Sequence, residues 1–373
     1  MVTSSGIDKA ATRCECADRK KVQTLDVVIV GMGVCGTALA ALLGEAGVSV
    51  ALVGKRSEAE GYEVAHSASF LPYFSLISSI DNKSGNFLKV ESPGGRSIDL
   101  LEIRKYLSFF SLPQLESHFA DRAMLAGVRV YRGKNIELWQ ERGCWSVHTD
   151  NHRINCRLIV GADGWDSAVR KAVNLTFDQK DLLLGVGCVA RIEEESGVKI
   201  RLYDKGRICR ILKYGSRANI GVFGSCEDMV ALRRILDKVL RSDMAALNSV
   251  SYPWTAFVPS PAMPQFYTLP CAGKNWILIG EAAGHIHPLS GESLYYALRS
   301  VQLAALAVKC GDLRVFDGLW RDEYGKELEA AVKIKTKINK WPRASEWAFA
   351  AASRSSRFRG LISNMLLANC GSV

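Results

Sequence analysis

The sequence predicts an α/β chain: a doubly wound sheet interrupted by an antiparallel sheet and followed by a helical C-terminus. Three observations predict it. A glycine-rich turn, Gly31-Met32-Gly33-Val34-Cys35-Gly36, stands between a Val/Ile run and an Ala/Leu run. Short alternating apolar runs crowd residues 184–223, and from Phe316 onward the pattern is helical. With 373 residues, 48% hydrophobic and 23% charged, the chain has the length for one large or two interleaved units with a true core, and is too apolar to be disordered.

The elements follow in order. Residues 1–24 are polar, with Asp8, Glu15 and Asp18 among the basic residues, and carry no apolar stretch of the kind a secretory leader needs. They read as a flexible tail. Asp26–Val30 reads as a buried strand, Val34–Glu45 as a helix and Val48–Val53 as a second strand, a βαβ opening. The 18 uncharged residues Val27–Gly44 have the length of a membrane span. Four glycines inside the run and Asp26 and Glu45 at its ends assign it to the nucleotide turn instead.

Leu115–Ala126 has the spacing of an amphipathic helix, followed by a strand over Val128–Tyr131. Arg157–Val160 ends another strand, and Asp166–Val173 is the next helix. Lys199–Tyr203, Ile208–Leu212 and Asn219–Phe223 alternate as antiparallel strands do, and Met229–Leu240 reads as a helix covering them. Trp276–Gly280 returns to a buried strand, Leu294–Val308 is a long apolar helix, and Pro342 breaks the helical C-terminus. The expected organisation is a tail (1–24), a discontinuous nucleotide-binding domain (25–60, 100–175, 270–312), a substrate domain (61–99, 176–269) and a C-terminal helical region (313–373).

Three motifs carry the chemistry. In the first, Gly31 permits the tight turn, Gly33 lets a phosphate approach the backbone, and Gly36 lets helix pack on strand. The helix N-terminus then offers unpaired N–H groups to a pyrophosphate. The acid expected at the end of the second strand is replaced by Gly54, followed by Lys55 and Arg56. Either backbone and water hold the ribose, or Lys55 and Arg56 meet a 2′-phosphate. The second motif is Gly161-Ala162-Asp163-Gly164-Trp165-Asp166-Ser167-Ala168-Val169-Arg170. The third runs Gly280-Glu281-Ala282-Ala283-Gly284, then Pro288-Leu289-Ser290-Gly291-Glu292-Ser293-Leu294-Tyr295-Tyr296.

The second motif resembles the Asp-Gly motif of the flavoprotein hydroxylase superfamily, the para-hydroxybenzoate hydroxylase group. The third resembles the matching stretch of the geranylgeranyl reductase family. The resemblance covers about residues 25–340 and is dense only in the motifs. It implies an FAD-binding fold of the para-hydroxybenzoate hydroxylase type with an inserted antiparallel substrate sheet. It also implies FAD held by Gly31, Gly33, Gly36, Asp163, Gly164, Gly280, Glu281 and Gly284. Pro288, Gly291, Ser293 and Leu294 would lie by the flavin ring, and Arg104 would reach the flavin phosphates. Glu281 stands where the family has Asp, and Ser293 where it has Gly.

The implied activity is an FAD-dependent oxidoreductase that reduces a carbon–carbon double bond of a hydrophobic, isoprenoid-like or natural-product substrate. Hydride would come from flavin N5, with FAD reduced by NAD(P)H or another electron donor. A flavin monooxygenase and a non-catalytic nucleotide-binding protein are the alternatives. The family's Cys-Gly segment is absent, with Glu63–Ala68 about there. Its aromatic-Pro segment is absent too, with Arg207–Leu212 in the matching place, so the substrate pocket has been rebuilt. Phe70, Tyr73, Phe74 and Trp254 are candidate substrate walls, and Tyr295, Tyr296 and His66 candidate proton donors. Cys35 stands at a helix N-terminus, where a thiol pKa can fall. His285-x-His287 lacks a third ligand nearby, so no metal is expected. No H-E-x-x-H, G-x-S-x-G or P-loop motif occurs.

The charge balance is 48 − 38 = +10. Eleven scattered cysteines without a C-x-x-C read as reduced thiols, hence a cytoplasmic protein. Residues 332–360 carry eight Lys and Arg against Glu346, interleaved with Trp341, Trp347, Phe349 and Phe358. This composition fits peripheral contact with an anionic membrane surface. No nucleic-acid motif accompanies the charge.

Overall fold

The structure is a computed structural model and describes residues 24–55, 62–65, 76–77, 80, 82–104, 107–141, 143–191, 195–243 and 249–367. The chain opens with β1 (Thr24–Val30), α1 (Val34–Glu45), β2 (Val50–Gly54), β3 (Tyr62–Ala65), β4 (Asn82–Ser84), β5 (Phe87–Glu91), β6 (Ser97–Asp99), α2 (Leu101–Arg104), β7 (Ser108–Ser111) and α3 (Leu112–Leu125). It continues through β8 (Arg129–Arg132), β9 (Glu137–Glu141), β10 (Cys144–His148), β11 (Arg153–Gly161), α4 (Ala168–Ala172), β12 (Leu182–Arg191), β13 (Gly197–Leu202), β14 (Ile208–Tyr214), β15 (Arg217–Ser225) and α5 (Met229–Asp243). It ends with β16 (Ser249–Pro259), β17 (Trp276–Leu278), α6 (Leu294–Cys310), α7 (Val315–Trp320), α8 (Lys326–Lys340), α9 (Pro342–Arg354) and α10 (Ser356–Leu366).

The first sheet runs β8-β2-β1-β11-β10-β9, with β17 also paired to β11. Strands β8, β2, β1, β11 and β17 are mutually parallel, and β10 pairs antiparallel with both β11 and β9. Parallel strands buried on both faces read as unbroken apolar runs, and β2 is buried at all five positions. Helix α1 packs against α3 and α6. Its Ala38, Ala40 and Ala41 are fully buried, because small side chains bring the helix close to its neighbours. The run Val27–Gly44 thus forms β1 and most of α1, as expected. Among the described residues, no helix is long and apolar enough to cross a membrane.

The second sheet runs β16-β12-β15-β14-β13-β5-β6, antiparallel except for the β13–β5 pair. Side chains alternate across it with period two. Cys209, Ile211, Ile220 and Val222 point to one face and pack under Leu232 and Val239 of α5. Ile208, Arg210, Leu212, Asn219, Gly221 and Phe223 point to the other. The C-terminal helices cover the β13–β5–β6 end: Phe349, Ala352, Ile362 and Leu366 join Leu88, Val90, Ile98 and Val198 in one core. Helix α7 passes through a π-helical turn, Arg321–Gly325, into α8, and Pro342 opens α9 as its first residue.

One boundary differs from expectation. The chain does not enter the nucleotide-binding unit at residue 100, for Leu100, Leu107 and Phe109 pack in the second core. Strand β7 pairs with β3 and β4 in a separate small sheet. Its neighbours Phe109 and Phe110 point to opposite sides, one into each core, so the change of unit occurs within this strand.

Trp254 of β16 lies over three glycines. A Cβ added at Gly187 would fall 2.2 Å from the indole and 2.2 Å from the Ile220 carbonyl oxygen, and one at Gly221 would fall 2.7 Å from the indole. Gly185 is similarly closed by Phe223 at 2.6 Å. Gly187→Ala is therefore expected to cost about 1–3 kcal/mol by overpacking. The cost appears as a lower midpoint in urea denaturation, whereas Gly360→Ala, with open space and no positive φ, loses less.

Candidate functional site

The first motif folds as its glycines demand. Gly31 has φ +114°, and a Cβ there would sit 2.2 Å from the Ala162 carbonyl oxygen. Its N–H donates to Val53 O at 2.8 Å, and Ala162 N–H donates to Val30 O at 2.7 Å. A Cβ at Gly36 would fall 1.9 Å from Gly31 O. Gly33 differs: the nearest atom to its added Cβ is Glu116 Oε1, 3.8 Å away, and no side chain caps α1. An uncapped helix N-terminus fronted by a glycine is an anion site.

Gly54 has φ +152°, and its added Cβ would meet Met32 Cγ at 3.3 Å. The backbone there excludes the expected acid, and Lys55 follows it exposed on the surface. Cys35 does not behave as an activated thiol. Burial, then the nearby Glu281 charge, pushes it up to about 12, because desolvation outweighs the helix terminus.

The three motifs meet. Cys35 Sγ lies 2.5 Å from an added Cβ at Gly280, which joins the first motif to the third. Glu281 Oε2 lies 4.0 Å from the Cβ position of Gly164, which joins the third to the second. Arg170, 3% exposed, donates from Nη1 to the Ala282 carbonyl at 3.1 Å, with its guanidinium 4.0 Å from the Phe177 ring centre. Asp163 Oδ2 accepts from Ala168 N–H at 2.7 Å, so this acid does help cap α4. Its Oδ1 is buried without a hydrogen-bond partner. Burial raises the Asp163 pKa although Ser167 and backbone N–H groups favour the charge. A hydroxyl-bearing ligand fits that oxygen. The open Gly33, the uncapped α1 and the Asp163 acceptor together match what a dinucleotide requires.

A cavity of about 550 Å³ lies between the third motif and the second sheet. Glu281, Ile286–Ser290 without Leu289, Gly291 and Ser293 form one wall. Leu183, Ile208, Leu212, Phe223, Trp254 and Val258 form the apolar part of the other. Its polar groups are few. Asn219 Oδ1 accepts from Trp254 Nε1 at 3.2 Å, and Arg210 Nη1 donates to Gly291 O at 3.3 Å, bridging sheet and loop. His287 Nδ1 accepts from Ser290 N–H at 3.2 Å, which leaves the proton of the neutral ring on Nε2. Lys335 Nζ donates to Ser260 Oγ on the rim at 2.6 Å, and burial pulls its pKa down to about 8.

Residues 83–219, which include the second motif, match the family described as FAD binding domain. The geranylgeranyl diphosphate reductase of Rhodobacter capsulatus is 24% identical over 327 residues, 80% of this chain and 81% of that protein. A menaquinone reductase of Mycobacterium tuberculosis is 41% identical over 64 residues, 17% of this chain and 16% of that protein. Among solved structures, a geranylgeranyl bacteriochlorophyll reductase-like protein from Thermoplasma acidophilum superposes with TM-score 0.71 at 15% identity, covering 86% of this chain and 91% of its own. A probable FAD-dependent monooxygenase from Pseudomonas aeruginosa superposes with TM-score 0.68 at 17% identity, covering 89% and 100%. The chain is an FAD-dependent oxidoreductase on the flavoprotein hydroxylase fold.

Within this oxidoreductase, Gly31, Gly33, Gly36, Asp163, Gly164, Gly280 and Glu281 come together at the cradle, and Pro288, Gly291 and Ser293 reach the cavity. Gly284 has φ +80° and closes the turn between them. Ser293 has φ −122°, so a side chain is tolerated there. Leu294 opens α6 and is buried. Trp254 lines the cavity. Tyr295 and Tyr296 do not line it: both are buried in an aromatic cluster with Tyr324, and Tyr296 Oη donates to Glu327 Oε1 at 2.5 Å. Arg56, His66, Phe70, Tyr73 and Phe74 lie outside the described residues, as does the side chain of Arg104 in α2.

Sequence reasoning did not single out Glu116 or Arg210, which no motif marks, and counted Lys335 only among the basic residues of 332–360, whereas its Nζ bonds Ser260 at the cavity rim. It weighed His287 only as a metal ligand. His285 and His287 turn to separate partners: Tyr324 Oη lies 3.0 Å from His285 Nδ1, and Cys271 Sγ lies 3.7 Å from its Nε2.

Gly33→Val leaves folding intact, since its Cβ meets no atom closer than 3.8 Å. It is expected to lower FAD affinity at least about tenfold by obstructing the helix terminus, some 1.4 kcal/mol. Absorbance of the purified protein at the flavin band, with a thermal melt as control, checks this. A second expectation concerns acid. Burial first, then Arg170 and Arg321, push His285 from 6.5 down to about 3. The unfolded chain therefore binds this proton first as pH falls. The stability His285 contributes is complete above pH 6.5 and is lost progressively toward pH 3. Urea midpoints measured across that range should fall less steeply in His285→Gln than in the unaltered protein.

Proposed function

We propose that this oxidoreductase reduces a carbon–carbon double bond of an apolar, isoprenoid-like or quinone-like substrate held in the 550 Å³ cavity. The observation that carries the reading is the shared wall: the loop Pro288–Ser293 borders the cavity and follows directly on the cradle residues Gly280–Gly284. FAD, when bound, supplies the two-electron reducing chemistry, and NAD(P)H or another donor recharges it. Leu183, Ile208, Leu212, Phe223, Trp254 and Val258 remove the apolar chain from water. That burial contributes about 25 cal/mol per Å². Related proteins named for geranylgeranyl and menaquinone reduction support the class of substrate.

His287 is the proton source we favour, because it borders the cavity, whereas Tyr295 and Tyr296 lie in the aromatic cluster; its Nε2 is enclosed, so the ring must turn or the loop shift for the proton to reach a bound substrate. Its ring orientation is set by Ser290, which bonds Nδ1 through both its N–H and its hydroxyl. Oxygen insertion is the second reading, favoured by the monooxygenase whose whole chain superposes on this one.

Incubating the flavin-loaded protein with geranylgeraniol and a reductant, without oxygen, decides between them by mass. Gain of two hydrogens supports reduction. No reduced product, with gain of one oxygen atom in air, overturns it in favour of the monooxygenase. His287→Asn should lower kcat about 100-fold with little change in KM, the scale of lost general acid catalysis. An unaltered kcat removes His287 from the reaction.

A further inference from the structure

We propose that the exposed side of α9 and α10 is a docking face for an anionic lipid bilayer. The two helices are apolar on both sides. Phe349, Ala352, Ile362 and Leu366 face inward and are buried in the second core. Trp347, Phe358, Leu361 and Met365 face outward and are 78%, 48%, 52% and 38% exposed. With Trp341, these are five of the fourteen large hydrophobic side chains exposed among the described residues, gathered in 25 of them. A core helix has no use for a second apolar face in water.

The charges around these side chains are mainly positive; Glu102 of α2, 68% exposed, is the acid beside them and pairs with Arg359 at 3.4 Å. Arg343, Arg354 and Arg357 are exposed and make no ion pair among the described residues. The one carboxylate between residues 341 and 367 is Glu346. It is turned inward: Gly94 N–H and Ser92 Oγ–H donate to it at 2.7 and 2.9 Å, and Arg96 lies 3.7 Å away. The fold thus engages the one carboxylate carried by α9 and α10 with the loop between β5 and β6. On α9, Arg343, Trp347 and Arg354 fall at spacings of four and seven, one stripe of a helix. On α10, Phe358, Leu361 and Met365 fall at spacings of three and seven, with Arg357 beside Phe358.

Large apolar side chains mixed with arginines that outnumber the acids, both of which are paired, match the boundary between lipid headgroups and acyl chains. Arginine meets the lipid phosphates, while Trp and Phe enter the apolar edge. A polyanion such as nucleic acid would satisfy the arginines but leave Leu361 and Met365 in water. The inference rests on these two helices alone and holds whatever the reaction in the cavity.

Co-sedimentation of the full chain with phosphatidylglycerol–phosphatidylcholine vesicles tests it, against vesicles of phosphatidylcholine alone. Near 0.1 M salt the protein should pellet with the anionic vesicles. Binding should weaken at least about tenfold near 1 M, where the Debye length falls from about 10 to about 3 Å. Arg354→Glu/Arg357→Glu should weaken it at least about tenfold at low salt. Trp347→Ala/Phe358→Ala should weaken it at both salts. The altered side chains are exposed, and thermal melts confirm that the variants fold. Failure of the unaltered protein to pellet at low salt overturns the proposal without reference to any variant. So does equal binding by all variants, tighter binding to a single-stranded oligonucleotide than to vesicles, or a self-associated form in solution that buries the face and does not bind vesicles.

Discussion

Backbone approaching backbone without a side chain between is the constraint on which the rest of this protein depends. Gly31 lies against the Ala162 backbone and Gly36 against the Gly31 carbonyl, each too close for a methyl group, and Gly280 leaves the same kind of room for the Cys35 thiol. These contacts bring together three loops that are far apart in sequence. Van der Waals contact alone would leave them free to slide. Arg170 removes that freedom by crossing from α4 to the carbonyl of Ala282, with Phe177 and Phe266 around its guanidinium. The arginine sits in a costly position, since burial lowers its pKa. Removing its partners would leave a buried charge without compensation.

The second sheet solves a different problem with the same residue. Its outer face under α5 is filled by ordinary aliphatic side chains. Its inner face is carved out, because Gly185, Gly187 and Gly221 leave a shallow floor on which Trp254 lies. The indole N–H is satisfied by Asn219, so the aromatic surface faces the cavity while its polar edge is spent. Apolar room of about 550 Å³ follows from these choices. Arg210 then ties the sheet to the loop through Gly291 O and fixes the separation of the two walls.

Behind the loop, the π-helical turn at Arg321–Gly325 sets Tyr324 against His285. The wider turn is where the regular helix would place its side chains differently. His285 is kept neutral by burial and by Arg170 and Arg321, and Cys271 stands on its far side. The histidine therefore acts as a fixed hydrogen-bonding block under the third motif, while His287, two residues on, lines the cavity.

Much of this was legible in the sequence because it rests on local chemistry. The βαβ opening, the three glycine-marked loops and the antiparallel insertion follow from period, turn residues and spacing. Helix α1 has the expected ends, Val34 and Glu45. Strand β7 was not legible: Phe109 and Phe110 are chemically alike, and only their neighbours decide which core each enters. Likewise Tyr295 and Tyr296 had the composition of proton donors, and Cys35 the position of a reactive thiol. Whether a phenol faces a cavity or a cluster, and whether burial outweighs a helix terminus, depends on atoms contributed by distant segments. The sequence by itself determined the cradle, because backbone conformation at a glycine is a local property. Only the tertiary structure decided the cavity, the role open to His287 and the inward turn of Glu346, because burial and side-chain direction are properties of the packed whole.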